Sequence, residues 1–110
     1  MLIYKIFRAD EYLAFTRQGH SLGAPIDLAD GYIHLSTGEQ VADTRSRHFG
    51  GEAGLPLLAR DRAQLPDLRW EPSRGGQLFP HLYRELRTDD ILWSRPLTLG
   101  PDGHITGDLA

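Results

Sequence analysis

The chain predicts an α+β domain, and three observations carry that prediction. A strand, a helix, a second strand and a second helix follow one another in the first half, and several short strands follow in the second. The length of 110 residues leaves room for one core and no second one. A hydrophobic fraction of 40% beside 25% charged residues is ordinary for a folded globular chain and excludes general disorder.

Leu2-Ile3-Tyr4-Lys5-Ile6-Phe7 is rich in β-branched and aromatic residues and predicts the first strand. A helix is expected from about Ala9 to Gln18: Asp10 and Glu11 suit its first turn, Arg17 its last, and Gly19 its end. Gly19 to Ala29 reads as a loop, and Asp30-Gly31 as the turn into the second strand. Along that strand Ile33 and Leu35 face one side as core. Tyr32, His34 and Ser36 face the other as a polar row. Ser36 with Glu39, or Thr37 with Gln40, has capping-box spacing, so one of the two hydroxyls caps a second helix running to Phe49 and closed by Gly50-Gly51. That helix has a thin apolar stripe and belongs on the surface.

Leu55 to Ala59 is a short apolar strand, whose Pro56 suggests an edge or entry position. Leu68 to Glu71 is a fourth strand that sends Leu68 and Trp70 to one face and Arg69 and Glu71 to the other. Ile33, Leu35, Leu57, Trp70 and Phe79 are the expected buried residues, with Trp70 filling the largest volume. Pro72 to Gly76 reads as a flexible loop, Phe79 to Tyr83 as irregular or a short strand around Pro80, and Thr88-Asp89-Asp90 as a single helical turn. Ile91 to Leu99 alternates as a last strand. The compact part is thus expected over residues 1–99, with residues 100–110 a fraying tail.

The charge and the missing residue types narrow the function. A net charge of −3 gives no general attraction to nucleic acid or to an anionic membrane. Residues 1–20 alternate apolar with charged groups, which fits neither a signal peptide nor a membrane span, so the cytoplasm is the default location. Without cysteine there is no disulfide, thiol nucleophile or thiolate metal site. No two histidines stand three residues apart, and no phosphate-loop, dinucleotide or nucleophile-elbow motif is present. A zinc site of known local pattern is therefore absent, and a metal would need a site assembled in the fold from His34, His81 and Glu71.

Three groups of residues can carry chemistry. His34, with Ser36 and Thr37, stands on the polar side of a strand that runs into a helix N-terminus, where free amides favour a phosphate or ribose. The same hydroxyls serve equally well as plain helix caps. Glu71, Ser73 and Arg74 end a strand before a Gly-Gly pair. Arg74 there suits a clamp on phosphate or carboxylate, and a Glu71–Arg74 surface ion pair is the structural alternative. His81 and Tyr83 place two polar rings in the Phe79–Tyr83 segment, as reactive groups or as hydrogen bonders within the core.

These groups lie where the chain is similar to a known family. Asp27-Leu28-Ala29-Asp30-Gly31-Tyr32-Ile33-His34-Leu35-Ser36-Thr37, Glu39-Gln40-Val41, Trp70-Glu71-Pro72-Ser73-Arg74-Gly75-Gly76 and Phe79-Pro80-His81-Leu82-Tyr83 together resemble the signatures of the bacterial domain-of-unknown-function 952 family, over about residues 2–98. The resemblance implies an ADP-ribosyltransferase-like fold: a split, mostly antiparallel sheet with flanking helices and a cleft for NAD. On this resemblance only His34 carries over as a ligand-binding residue, and Glu71 is the trial catalytic glutamate; the chemistry of the three groups adds Ser36, Thr37, Arg74 and Tyr83 as ligand-binding residues and His81 as the second trial catalytic residue of a transferase. Tyr4 and Lys5 stand where catalytic members of that superfamily often carry histidine or arginine, and Tyr32 replaces the first histidine of a His-x-His pair. A nucleotide-binding module without chemistry, and a structural or interaction protein without ligand, are the other readings.

Overall fold

The computed structural model describes residues 2–49, 52, 54–73, 76–100 and 103–105. In chain order its elements are β1 (Leu2–Ile6), α1 (Ala9–Gln18), β2 (His20–Ser21), α2 (Pro25–Asp30), β3 (Ile33–His34), β4 (Ser36–Thr37), α3 (Gly38–Phe49), β5 (Leu55–Asp61), β6 (Leu68–Pro72), β7 (Leu78–Leu82), β8 (Leu86–Arg87), β9 (Trp93–Gly100) and β10 (Gly103–Ile105). A 3₁₀ turn at Arg62–Gln64 precedes β6, and another at Thr88–Asp90 precedes β9. The strands form a five-stranded sheet in the order β10-β9-β5-β1-β4, a three-stranded sheet β3-β7-β6 and a β2-β8 pair. Every pairing is antiparallel. The chain is an α+β fold, as its element order predicts.

The centre of the larger sheet is apolar in both directions because both of its faces are covered. Ile3 and Leu58 point into one core with Phe7, Phe15, Ile33, Leu35, Leu82 and Leu86. Tyr4, Ile6, Leu55, Leu57 and Ala59 point the other way, onto Val41 and Phe49 of α3. Helix α1 has the predicted bounds, and Gly19 ends it at φ 79° with its N–H donating to the Phe15 carbonyl. Helix α3 is capped by Thr37. Its Oγ1 accepts from the Gln40 N–H at 3.3 Å, and the Gln40 Oε1 accepts from the Thr37 N–H at 3.0 Å. The Ser36 hydroxyl is instead buried against Thr44, at 2.9 Å. Thr37→Ala is accordingly expected to lower stability by about 1 kcal/mol in urea denaturation, and Ser36→Ala by less. Equal losses for the two variants would contradict the cap assignment.

The structure departs from the sequence expectation in five places. The segment read as a loop from Gly19 to Ala29 contains β2 and the short helix α2, with Pro25 at its first turn and Gly31 at its left-handed C-cap. The second strand is two strands: Ile33–His34 pairs with β7, Leu35 donates its N–H to the Pro80 carbonyl, and Ser36–Thr37 pairs with β1. Five residues thus cross from one sheet to another. Pro56 lies in a central strand, not at an edge. Its carbonyl accepts from Phe7 N–H, so its missing N–H also faces the end of β1, and it meets Pro96 of β9 at a site that needs no ladder bond. Pro80 is accommodated in the same way at the centre of the three-stranded sheet, with its carbonyl turned to Leu35. Trp70 is only half-buried, packed on the core's margin beneath the Arg62 guanidinium at 5.0 Å. Finally, the tail does not simply fray: Gly103–Ile105 returns along β9 and occupies what would otherwise be an open sheet edge. Ile33, Leu35, Leu57 and Phe79 are buried as expected. The predicted Gly50-Gly51 helix end falls outside the described residues.

A face of paired imidazoles

The three-stranded sheet has one apolar and one polar face, and the register decides which residues share the polar one. Ile33 pairs with Leu82, and Leu82 with Leu68, on the core side. His34 pairs with His81, and His81 with Arg69, on the other. The period of two adds Tyr32, Glu71 and Tyr83 to that face. The imidazoles of His34 and His81 lie edge to face, 5.5 Å between centroids. Tyr32 stacks on His81 at 4.2 Å and lies 4.7 Å from His34 and 5.2 Å from Tyr83. Beyond it the Arg69 guanidinium covers the Tyr83 ring at 4.9 Å.

Each histidine is held by its own carboxylate. His81 is buried, and its Nδ1 lies 2.8 Å from Glu71 Oε1, which also accepts from the Tyr83 hydroxyl at 2.6 Å. The hydrogen bonds from Tyr83 and His81 hold the Glu71 carboxyl below its usual range, and the bond to Glu71 raises the Tyr83 phenol. The His81 Nε2 atom is buried and has no hydrogen-bond partner among the described residues. His34 Nδ1 lies 2.6 Å from Asp27 Oδ1, and its Nε2 lies 3.0 Å from Asp30.

Asp27 is the buried hub of the site. Its Oδ1 takes the His34 backbone N–H and ring, and its Oδ2 takes the Lys5 ammonium at 2.7 Å and the Ala24 N–H at 2.7 Å. Gly23 is packed so closely on this carboxylate, at φ 105°, that a Cβ there would run into it. Burial alone would raise the Asp27 carboxyl, but the His34 hydrogen bond and the Lys5 charge outweigh it and bring it down to about 2. A depressed carboxyl stabilises the fold above its unfolded value near 4. That contribution is lost as pH falls from about 4 through about 2. Urea unfolding is expected to show about 2 kcal/mol less stability at the bottom of this window, a loss that Asp27→Asn should flatten. Identical pH profiles for the two proteins would contradict it.

Of these residues Tyr32, His34 and His81 line a cleft of about 470 Å³ between the two larger sheets, together with Asp30 and Lys5. Tyr4, Lys5 and Ile6 of β1 form one wall, Tyr32, His34, Ser36 and His81 the floor, and Pro25, Ile26 and Asp30 of α2 the rim. Of the sequence-predicted site residues, the structure brings together His34, His81, Glu71 and Tyr83, with Ser36 beside them. Glu71 answers to His81 and Tyr83. Thr37 is engaged in the helix cap, so that corner of α3 is satisfied from within the chain. Arg74 lies outside the described residues. Asp27 was not singled out by sequence and Tyr32 was placed in the polar row without a role, although Pro25 and Gly31 bracketing Asp27 are helix start and stop signals, and Lys5 is the chain's one lysine, set in an apolar strand. Among the described residues no three His, Asp or Glu side chains are grouped to hold a metal, and no helix is long and apolar enough to cross a membrane.

The sequence model of one family, described as a protein of unknown function, DUF952, matches residues 6–94. Two solved structures of protein CC0527 from Caulobacter crescentus are similar throughout. The X-ray structure is 48% identical with a TM-score of 0.89, covering 94% of this chain and 92% of that one. The solution NMR structure is 47% identical with a TM-score of 0.83, covering 94% and 90%. No curated protein matches the chain.

Proposed function

The chain belongs to the DUF952 family, whose membership carries no established activity, and we propose from the site itself that its cleft binds a nucleotide of the NAD or ADP-ribose class. The single observation that carries this reading is the polar floor: two imidazoles, each oriented by a carboxylate, beneath an open cleft with tyrosine on its wall. A preoriented polar centre inside a concave, partly apolar cavity is how small-ligand sites are built, and about 470 Å³ lies within their usual range of roughly 300–1,000 Å³. Tyr32, with the imidazole edges, supplies ring surface for stacking, and Ser36 and His81 supply polar contacts for sugar hydroxyls. The crossing of β3 into β4 between two antiparallel sheets supports reading the fold as a split, ADP-ribosyltransferase-like sheet.

The residues fit the sugar and ring portions of such a ligand better than its pyrophosphate. Lys5 is engaged by Asp27, and Arg8 by Glu52 at 2.9 Å. Arg74 is the remaining candidate for the phosphates. NAD, when bound, supplies a labile bond between ribose and nicotinamide; the chain's own part is to bind, orient and exclude water, with Glu71 and His81 as the polar pair closest to chemistry. Calorimetric titration and thermal shift with NAD and with ADP-ribose test the proposal. A ligand at one hundred times its dissociation constant is expected to add about 2.7 kcal/mol of stability. No heat and no shift at millimolar concentrations would overturn it. Nicotinamide release on incubation with NAD makes the domain a transferase or hydrolase; binding without release makes it a nucleotide-binding module.

A further inference from the structure

His81 carries an atom whose role the fold leaves unexplained. The ring is 2% exposed and lies at the centre of the three-stranded sheet. A carboxylate can only accept, so the proton on Nδ1 belongs to the bond with Glu71. In the neutral ring this leaves Nε2 as a lone-pair acceptor, and that atom is buried with no partner among the described residues. Buried polar atoms in folded proteins are almost always satisfied, and an orphan calls for an explanation. His81 lines the cleft and lies flat beneath Tyr32, so its plane is set by stacking on one side and by Glu71 at one edge.

We infer that His81 Nε2 is the acceptor for a ligand hydroxyl, so that the cleft selects a sugar-type O–H donor at this point and rejects an anion there. An alcohol O–H completes the orphan; a phosphate or carboxylate oxygen would face a lone pair. Tyr83 strengthens the arrangement by donating to the same Glu71 oxygen that receives the His81 proton, which fixes that oxygen in place. His81 is then the residue that touches ligand, and Glu71 is a positioning residue that sets its tautomer. This deepens the nucleotide reading and rests on it only for the identity of the larger ligand.

The test follows the ring nitrogens of ¹⁵N-histidine-labelled protein, with His81 assigned by its loss in His81→Phe, which preserves the ring stack. The expected result is an unprotonated Nε2 in the free protein at neutral pH, moved by D-ribose and by NAD and not by inorganic pyrophosphate. His81→Phe is expected to weaken NAD binding about tenfold or more, and Glu71→Leu to weaken it with a mixed tautomer signal. A protonated Nε2, or a response to pyrophosphate without one to ribose, overturns the inference, and NAD binding in that case leaves the nucleotide reading intact. A response to ribose without any binding of NAD or ADP-ribose supports the inference and removes the nucleotide reading. No response of His81 to any of the three probes overturns the inference, and the nucleotide reading falls with it when calorimetry with NAD and ADP-ribose is silent as well.

Discussion

Asp27→Ala is expected to destabilise the protein by about 3–5 kcal/mol, because it strands a buried ammonium. The Lys5 side chain is 7% exposed, and Asp27 is the carboxylate that neutralises it, at 2.7 Å. The same substitution leaves the Ala24 and His34 amides without their acceptor and frees the His34 ring. For a chain of this size, with a total stability on the order of 5–15 kcal/mol, that is a large share. Urea unfolding of Asp27→Ala, Lys5→Met and the double variant measures it. The double variant is expected to recover part of the loss, since it no longer holds an unpaired charge. A loss under about 1 kcal/mol for Asp27→Ala would show that the hub is not what orders the site.

Phe7→Ala is expected to cost about 3–5 kcal/mol, and more than Trp70→Ala. Phe7 is fully buried, with the Phe15 ring 5.6 Å away, and its backbone N–H ties β1 to Pro56. Removing its ring opens a cavity in the main core that surrounding strands, paired on both sides, cannot close. Trp70, although larger, keeps one face in solvent and against Arg62, so its removal leaves a groove that water fills. The order of the two losses in thermal and urea unfolding is the check. A Trp70→Ala loss that exceeds that of Phe7→Ala would reverse the assignment of the core.

The comparison of these two residues shows where pattern reading stops. Alternation along Leu68 to Glu71 correctly sends Trp70 to the same side as Leu68, but it does not tell how far from the sheet's margin that side is covered. His34 and His81 illustrate the same division. Each was legible as a polar ring breaking an apolar pattern. Their facing register across β3 and β7 was not, because it depends on a pairing of residues 47 positions apart. Asp27 was hidden for a different reason: α2 is a six-residue helix, too short to show a period, and its marks are the proline and glycine at its ends.

Local chemistry in the sequence was enough to determine the α+β class, the bounds of α1, the capping of α3 by one of the hydroxyls of Ser36 and Thr37, and the alternation that divides core from polar face. Each of these depends on residues within one or two turns or along one strand, where propensity and periodicity act directly. Only the tertiary structure decided that residues 33–37 pass between two sheets, that proline fits a central strand when its missing N–H faces a strand's end, that the lone lysine is paired with Asp27, and that Glu71 holds His81 and Tyr83. Those outcomes depend on register and burial between distant segments. A buried charge or ring nitrogen takes whichever partner the packed chain brings within hydrogen-bonding distance, and local sequence carries no measure of that distance.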